Sequence, residues 1–140
     1  MKYLWLLLLI IVTLFIWYNS SLPMATSGYI SELAAGFIAT LGKYANIAFD
    51  GNLEHTIRKL AHFSEFAFLC WLCCKSFDAW YVNKKTANGY ILFFCLFVGV
   101  IDEYIQFFSP GRGSLLKDVL LDFSGAFSMW LAYRCWQFCK

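Results

Sequence analysis

The sequence predicts an all-α membrane protein, a compact bundle of four transmembrane helices, and three observations lead to this fold class. Of its 140 residues, 61% are hydrophobic and only 14% are charged, whereas globular proteins average about 25% charged residues. A soluble domain of this size cannot hide so much apolar surface, because small domains bury a smaller share of their surface than large ones. The apolar residues also form stretches close to the ~20 residues that cross a bilayer. We therefore expect one membrane domain over residues 1–140.

The first expected span, residues 3–20, has an uncharged apolar core at Leu4–Trp17. We interpret it as a retained helix, because no small-residue cleavage pattern follows it. Each of the other three spans combines an apolar run with a polar cluster at one end. These spans are 58–77, 88–108 and 117–137.

The segment 29–49, between the first two spans, is less hydrophobic than the spans. Ile30, Leu33, Phe37 and Leu41 recur in it at helical spacing. We expect an interfacial or re-entrant amphipathic segment here. An ordinary helix packed on the outside of the bundle explains the same pattern.

Charge and cysteine content narrow the location and the partners. A net charge of +2 does not favour nucleic acid as a partner. The six cysteines lie in or beside apolar stretches, where they behave as small hydrophobic residues.

Basic residues favour the cytoplasmic side of membranes, so we expect both termini of a multi-pass protein to be cytoplasmic. The residues then on that side are Lys2, Lys75, Lys84, Lys85, Arg134 and Lys140.

Ionisable residues gather at the predicted outer end of the last three spans. On the second span, Arg58, His62 and Glu65 are spaced by four and three residues and share one helix face. The corresponding residues on the next two spans are Asp102, Glu103 and Gln106, and then Asp118, Asp122 and Gly125. Charges in apolar spans are costly, so three such clusters are expected to form one functional site. The alternative is that they only tie the helices together.

The residue types indicate phosphate chemistry at this site. His62 suits a base or nucleophile that Glu65 or an acid from another helix holds in its tautomer. The candidate catalytic residues are His62, Glu65, Asp102, Glu103 and Asp122. The candidate substrate-binding residues are Arg58, Lys59, Gln106, Arg112, Lys117 and Asp118. The acids would equally suit a divalent cation that bridges phosphate oxygens. Glu54 and His55, by contrast, are expected to be solvated loop residues.

The order and spacing of these residues resemble the VanZ-like family over nearly the whole chain. The matching series are Arg58-Lys59-Leu60-Ala61-His62-Phe63-x-Glu65-Phe66, Asp102-Glu103-x-x-Gln106, Pro110-Gly111-Arg112 and Lys117-Asp118-x-x-x-Asp122-x-x-Gly125-Ala126. The resemblance implies a small multi-span protein of the bacterial cytoplasmic membrane. It also implies a role in the cell envelope, since the founding member is linked to resistance to the glycopeptide teicoplanin.

Residues and resemblance together predict a protein that binds or modifies an anionic lipid-linked phosphate or envelope precursor, contributing to teicoplanin resistance. Its expected partners are membrane lipids and such a precursor, and catalysis and binding remain alternatives. A second hypothesis is a non-catalytic accessory protein that shields an envelope target. A third, a proton-coupled transporter, is weaker, because the charges are confined to one side of the membrane.

Overall fold

The computed structural model describes residues 2–24, 33, 36–38, 40, 53–80 and 82–139, and within these ranges the regular structure is helical, without strands. The all-α prediction is therefore confirmed for this part of the chain. Four helices lie within the long described ranges: α1 (Lys2–Ser21), α2 (Leu53–Ala79), α3 (Lys84–Phe108) and α4 (Leu116–Phe138). Most of the amphipathic segment predicted at 29–49 lies outside the described residues, so its orientation remains a prediction.

Local sequence explains where α3 begins and ends. Its N-cap is Asn83, whose side chain accepts a hydrogen bond of 3.0 Å from the backbone N–H of Lys85, which satisfies one of the free N–H groups of the first turn. The helix ends before Pro110, which cannot continue it. Gly111 follows with φ +78°, a conformation that glycine adopts without steric cost. This turn reverses the chain into α4.

Close packing between α2 and α4 depends on Gly125, which is buried. A Cβ atom at this position would overlap the carbonyl oxygen of Phe63 and lie 3.1 Å from its Cα. The absence of a side chain at Gly125 therefore permits the close contact between the two helices. The remaining core is apolar and includes Phe66, Leu69, Cys70, Cys73, Cys74, Ile91, Cys95, Val98 and Ala126.

The first helix packs into the same core through one face. Its buried residues are Leu9, Thr13, Ile16 and Ser20, which recur at helical spacing. On the neighbouring side, the indole N–H of Trp17 donates a 3.3 Å hydrogen bond to the carbonyl of Val98 in α3. These contacts make α1 part of the bundle.

Apolar side chains cover much of the outer surface of the described helices. On α1 and α3 the exposed large hydrophobic residues include Leu7, Ile11, Leu14, Phe93, Phe97 and Phe107. Contiguous exposed apolar surface of this kind marks contact with a membrane or a partner. Two helical stretches in the described ranges, Lys2–Ser21 and Lys85–Phe108, are long and apolar enough to cross a membrane. Of the four predicted spans, the criterion of length and apolar composition therefore supports the two that correspond to α1 and α3.

A polar network ties the helices together at the end of the bundle where α2 stops and α3 starts. Asp78 accepts hydrogen bonds from the Tyr133 hydroxyl at 2.8 Å and from the Gln137 amide. Arg134 lies 3.4 Å from the same carboxylate and donates a 2.8 Å bond to Asn88 Oδ1. The network neutralises Asp78 and Arg134 where α2, α3 and α4 meet.

Candidate functional site

The other end of the bundle holds the residues that the sequence singled out. The end of α1, the first turns of α2, the end of α3 and the start of α4 meet there, because successive helices run in opposite directions. Side chains from α2, α3 and α4 converge on one point. The three clusters predicted to come together therefore do so in the structure.

The centre of this end is formed by His62 of α2, Asp102 of α3 and Asp122 of α4, which we call the His–Asp–Asp cluster. One nitrogen or oxygen atom from each side chain lies within 4.8 Å of the other two. Asp102 is 0% exposed and Asp122 is 1% exposed. Three helices thus place two carboxyl groups and an imidazole together in a buried position.

Asp102 is held by a side chain from its own helix. Gln106, one turn later, donates a 2.7 Å hydrogen bond to Asp102 Oδ2 and lies 3.4 Å from the Ser20 hydroxyl of α1. The second carboxylate oxygen, Oδ1, is buried and accepts no hydrogen bond within the described residues, and the same holds for Asp122 Oδ2. Each carboxyl group therefore has a buried oxygen without a hydrogen-bond donor.

A cavity of about 280 Å³ lies beside the cluster. His62 and Asp122 line its inner part, and basic side chains line its rim. The lining side chains from the predicted site are Arg58, Lys59, His62, Glu103, Gln106, Arg112, Asp118 and Asp122. Asp102 does not line the cavity and is buried beneath the side chains that do.

Two of the basic rim residues have partners on the protein. Lys59 Nζ lies 3.4 Å from Asp118 Oδ1 across the gap between α2 and α4. Arg58 contacts its own helix, with Nη2 3.0 Å from His55 Nδ1 and Nη1 3.9 Å from Glu54 Oε1. Both cations are partly exposed, so an anion entering the cavity can compete for them.

The third basic rim residue, Arg112, links the α3–α4 turn to α1. Its Nη2 donates a 3.1 Å hydrogen bond to the carbonyl of Asn19, and Ser109 Oγ donates a 2.7 Å bond to the carbonyl of Ser20. These carbonyls belong to the last turn of α1, where the regular intrahelical donors end, although the Asn19 carbonyl also accepts a 3.3 Å hydrogen bond from the backbone N–H of Leu22. Burial lowers the pKa of the Arg112 guanidinium from its ordinary value, and the nearby Asp102 carboxylate opposes this shift. Arginine remains charged under these conditions, so Arg112 adds a fixed positive charge to the rim.

Glu103 was predicted as a catalytic residue, and in the structure its carboxylate contacts the turn between α3 and α4. Its Oε2 accepts a 3.1 Å hydrogen bond from the backbone N–H of Leu115, the N-cap residue of α4. Leu115 has no capping side chain, and the acid from α3 binds its backbone N–H, the group that an acid at the third helical position binds in a capping box. A negative charge at a helix N-terminus is favourable. Glu103 therefore stabilises the turn that forms one wall of the cavity.

Besides Asp102, two further predicted site residues do not line the cavity. Glu65 is half-buried, and its Oε2 lies 3.7 Å from His62 Nδ1, beyond hydrogen-bond distance. Lys117 is exposed and does not line the cavity. Its neighbour Asp118 lines the cavity instead, because adjacent residues on a helix point in different directions.

Glu54 and His55 were expected in a solvated loop; their exposure is confirmed, but the loop assignment is wrong. Helix α2 begins at Leu53, so His55 is helical, and it lines the cavity beside Arg58. The residues 55, 58 and 62 follow the spacing of one helix face, which is the signal that would have found it. Placing the start of the span at 58 hid this pattern.

The arrangement is suited to holding an anion above buried acids. Arginine and lysine on the rim match the oxygens of a phosphate or carboxylate group, while His62 and Asp122 face the interior of the same cavity.

The fold and the site together define a small helical membrane protein with a polar, basic-rimmed cavity at one end of an apolar bundle. The chain belongs to the VanZ/LLP1 family, whose model matches residues 4–137. The resemblance noted in the sequence is thereby confirmed. Comparison with curated proteins and with solved structures gives no match.

Proposed function

We propose that this protein is a multi-span protein of the bacterial cytoplasmic membrane whose cavity faces the outer leaflet and binds an anionic lipid-linked phosphate or envelope precursor. The observation that carries the proposal is the cavity itself, with Arg58, Lys59 and Arg112 on its rim above His62 and Asp122. By binding such a precursor, the protein would contribute to glycopeptide resistance.

Four spans are proposed because α2 and α4 are also long enough to cross the membrane. Their 27 and 23 residues correspond to about 40 and 35 Å of helix, against ~30 Å of hydrocarbon. Their ionisable residues lie at Glu54–Glu65 and Lys75–Asp78 of α2, and at Lys117–Asp122 and Arg134 of α4. Between them, residues 66–74 of α2 and 123–133 of α4 are uncharged. With both termini cytoplasmic, the cavity opens to the outer side.

A phosphate head group suits the rim better than a neutral sugar or an amine. Hydrogen bonds from charged donors to phosphate oxygens are about twice as strong as neutral ones. Lys59 is paired with Asp118 at 3.4 Å, so a phosphate would take the place of that carboxylate. The apolar surface beside the cavity would carry the lipid chain.

Binding is tested with purified full-length protein in lipid nanodiscs, using polyprenyl phosphate and, as a matched control ligand, the corresponding uncharged polyprenol. We expect saturable binding of the phosphate and at least tenfold weaker binding of the alcohol, which is about 1.4 kcal/mol. Lys59→Gln should weaken phosphate binding roughly tenfold, since it removes one charged donor. Lys117→Gln removes a charge at the same end outside the cavity and should leave affinity unchanged.

Equal binding of both ligands, or equal loss in both lysine variants, would overturn the proposal, because the effect would then come from net charge or lipid alone. Catalysis and binding are separated in the same samples. Release of inorganic phosphate that stops in His62→Ala would identify a hydrolase, whereas stable complexes without release identify a binding protein. Teicoplanin susceptibility of a sensitive host expressing the wild type or Lys59→Gln, at equal membrane levels, tests the contribution to resistance.

A further inference from the structure

We propose that the His–Asp–Asp cluster binds a divalent transition-metal ion of the Zn²⁺ type at the inner wall of the cavity. Only the role of the metal, which would be to bind a phosphate oxygen of the ligand, rests on the proposed function. Metal binding itself is independent of that function and is measured separately.

The first argument is geometric. His62, Asp102 and Asp122 each offer one ligand atom, and the three atoms lie within 4.8 Å of one another. They come from three different helices, so helix packing sets their spacing. Among the described residues, this is the group of histidine, cysteine and acidic side chains that could surround an ion.

The second argument comes from the unpaired buried atoms. Asp102 Oδ1 and Asp122 Oδ2 are buried and accept no hydrogen bond within the described residues. Leaving a buried polar atom without a partner costs free energy, and the cost is greatest for charged groups. A cation between the two carboxylates would satisfy both atoms at once.

The third argument is the distribution of charge around the cluster. The Lys59 ammonium is paired with Asp118, and the Arg58 guanidinium lies against Glu54 and His55. The rim cations on α2 are thus engaged outside the cluster. Two carboxylates and one divalent ion together carry no net charge, which removes the repulsion between buried like charges.

Asp102 also has the kind of support that metal ligands commonly have. Gln106 donates a 2.7 Å hydrogen bond to Oδ2, which fixes the carboxyl group and leaves Oδ1 free. Carboxylate ligands are usually oriented by such an outer hydrogen bond. Gln106 in turn lies 3.4 Å from the Ser20 hydroxyl, so the support extends to α1.

The set of donors selects the type of ion. An imidazole nitrogen favours zinc, iron, nickel or copper over magnesium and calcium, which prefer all-oxygen sites. Three protein ligands with an open position are typical of catalytic zinc sites. His62 and Asp122 line the cavity, so the open position would face the ligand, and a phosphate oxygen would complete the coordination.

The test uses purified full-length protein in detergent, stripped with a chelator and titrated with Co²⁺ as a spectroscopic substitute for Zn²⁺. We expect one ion per chain and visible absorption bands of a nitrogen and oxygen site. The sulfur-to-cobalt charge-transfer band that cysteine ligands produce should be missing. Asp102→Asn and Asp122→Asn should each reduce affinity by more than the ~10–100-fold typical of outer-sphere partners. Glu54→Gln, an exposed acid at the same end, should bind Co²⁺ as the wild type does.

Size-exclusion profiles and circular dichroism establish that each variant is folded, and His62→Gln replaces either aspartate variant that is not. Absence of saturable binding, a sulfur charge-transfer band, or unchanged affinity in the folded cluster variants would overturn the inference. Polyprenyl phosphate binding, measured with and without chelator, distinguishes a failure of the metal-site inference from a failure of the proposed function. Metal binding without lipid binding contradicts that function alone, whereas lipid binding by a protein that takes up no metal contradicts the metal site alone.

Discussion

Gly125 of α4 lies directly against the backbone of Phe63 in α2, and this contact brings His62 and Asp122 together. Asp122 lies three residues before Gly125 on α4, and His62 lies one residue before Phe63 on α2. A Cβ atom at Gly125 would overlap the Phe63 carbonyl oxygen. The distance between the helices, and with it the spacing of the cluster, thus depends on a missing side chain.

Gly125→Ala should therefore destabilise the protein by about 1–3 kcal/mol, as overpacking of a tight contact does. It should also weaken Co²⁺ binding, because α2 and α4 must separate. Gly89→Ala is the control, since a Cβ atom there meets nothing within 4 Å. Thermal unfolding in detergent and Co²⁺ titration measure the two effects. A Gly125→Ala protein as stable as Gly89→Ala would contradict the packing argument.

Gln106→Met keeps the length of the side chain and removes its amide. We expect Co²⁺ affinity to fall by roughly 10–100-fold, the usual effect of losing an outer hydrogen bond to a metal ligand. Stability should fall by about 1–3 kcal/mol, because the buried Asp102 Oδ2 loses its hydrogen-bond donor. An affinity equal to that of the wild type would show that Asp102 needs no orientation by Gln106.

Tyr133→Phe tests the network at the opposite end. It removes the 2.8 Å hydrogen bond to Asp78 and should cost about 1–3 kcal/mol, because hydrogen bonds to charged groups contribute more than neutral ones. Polyprenyl phosphate binding should be unchanged, since the cavity is far along the bundle. Tyr90→Phe, an exposed tyrosine on α3, is the control for chemical denaturation. Equal stability of the two variants would contradict a structural role for Asp78.

Native cysteines report the proposed orientation. Cys135 and Cys139 are exposed near the end of α4, and the other four cysteines are buried. In intact cells a membrane-impermeant maleimide should label Lys117→Cys, at the cavity end, and should leave the wild type unlabelled. In inside-out vesicles the wild type should be labelled at Cys135 and Cys139, and the Lys117→Cys protein, which keeps both, should be labelled as well. Labelling of wild-type protein in intact cells would place the cavity on the cytoplasmic side.

The sequence predicted the helical class and the convergence of His62, Asp102 and Asp122, because spacing along a helix determines which residues share a face. It could not show that Lys59 lines the cavity and Lys117 does not, since the rotation of a helix about its axis depends on packing against its neighbours. The network of Asp78 with Tyr133 and Arg134 was missed for a related reason. Its members are far apart in sequence, and Arg134 was interpreted only as a marker of topology.

The hydrogen bonds at the end of α1 have a consequence for the order in which the protein is made. Helix α1 leaves the ribosome before α2, α3 and α4, yet Ser109 and Arg112, which donate to its last carbonyls, follow 89 and 93 residues later. A nascent chain that ends before this turn lacks the wall on that side of the cavity. The cavity can therefore be completed only after α3 and the turn that follows it have been synthesised.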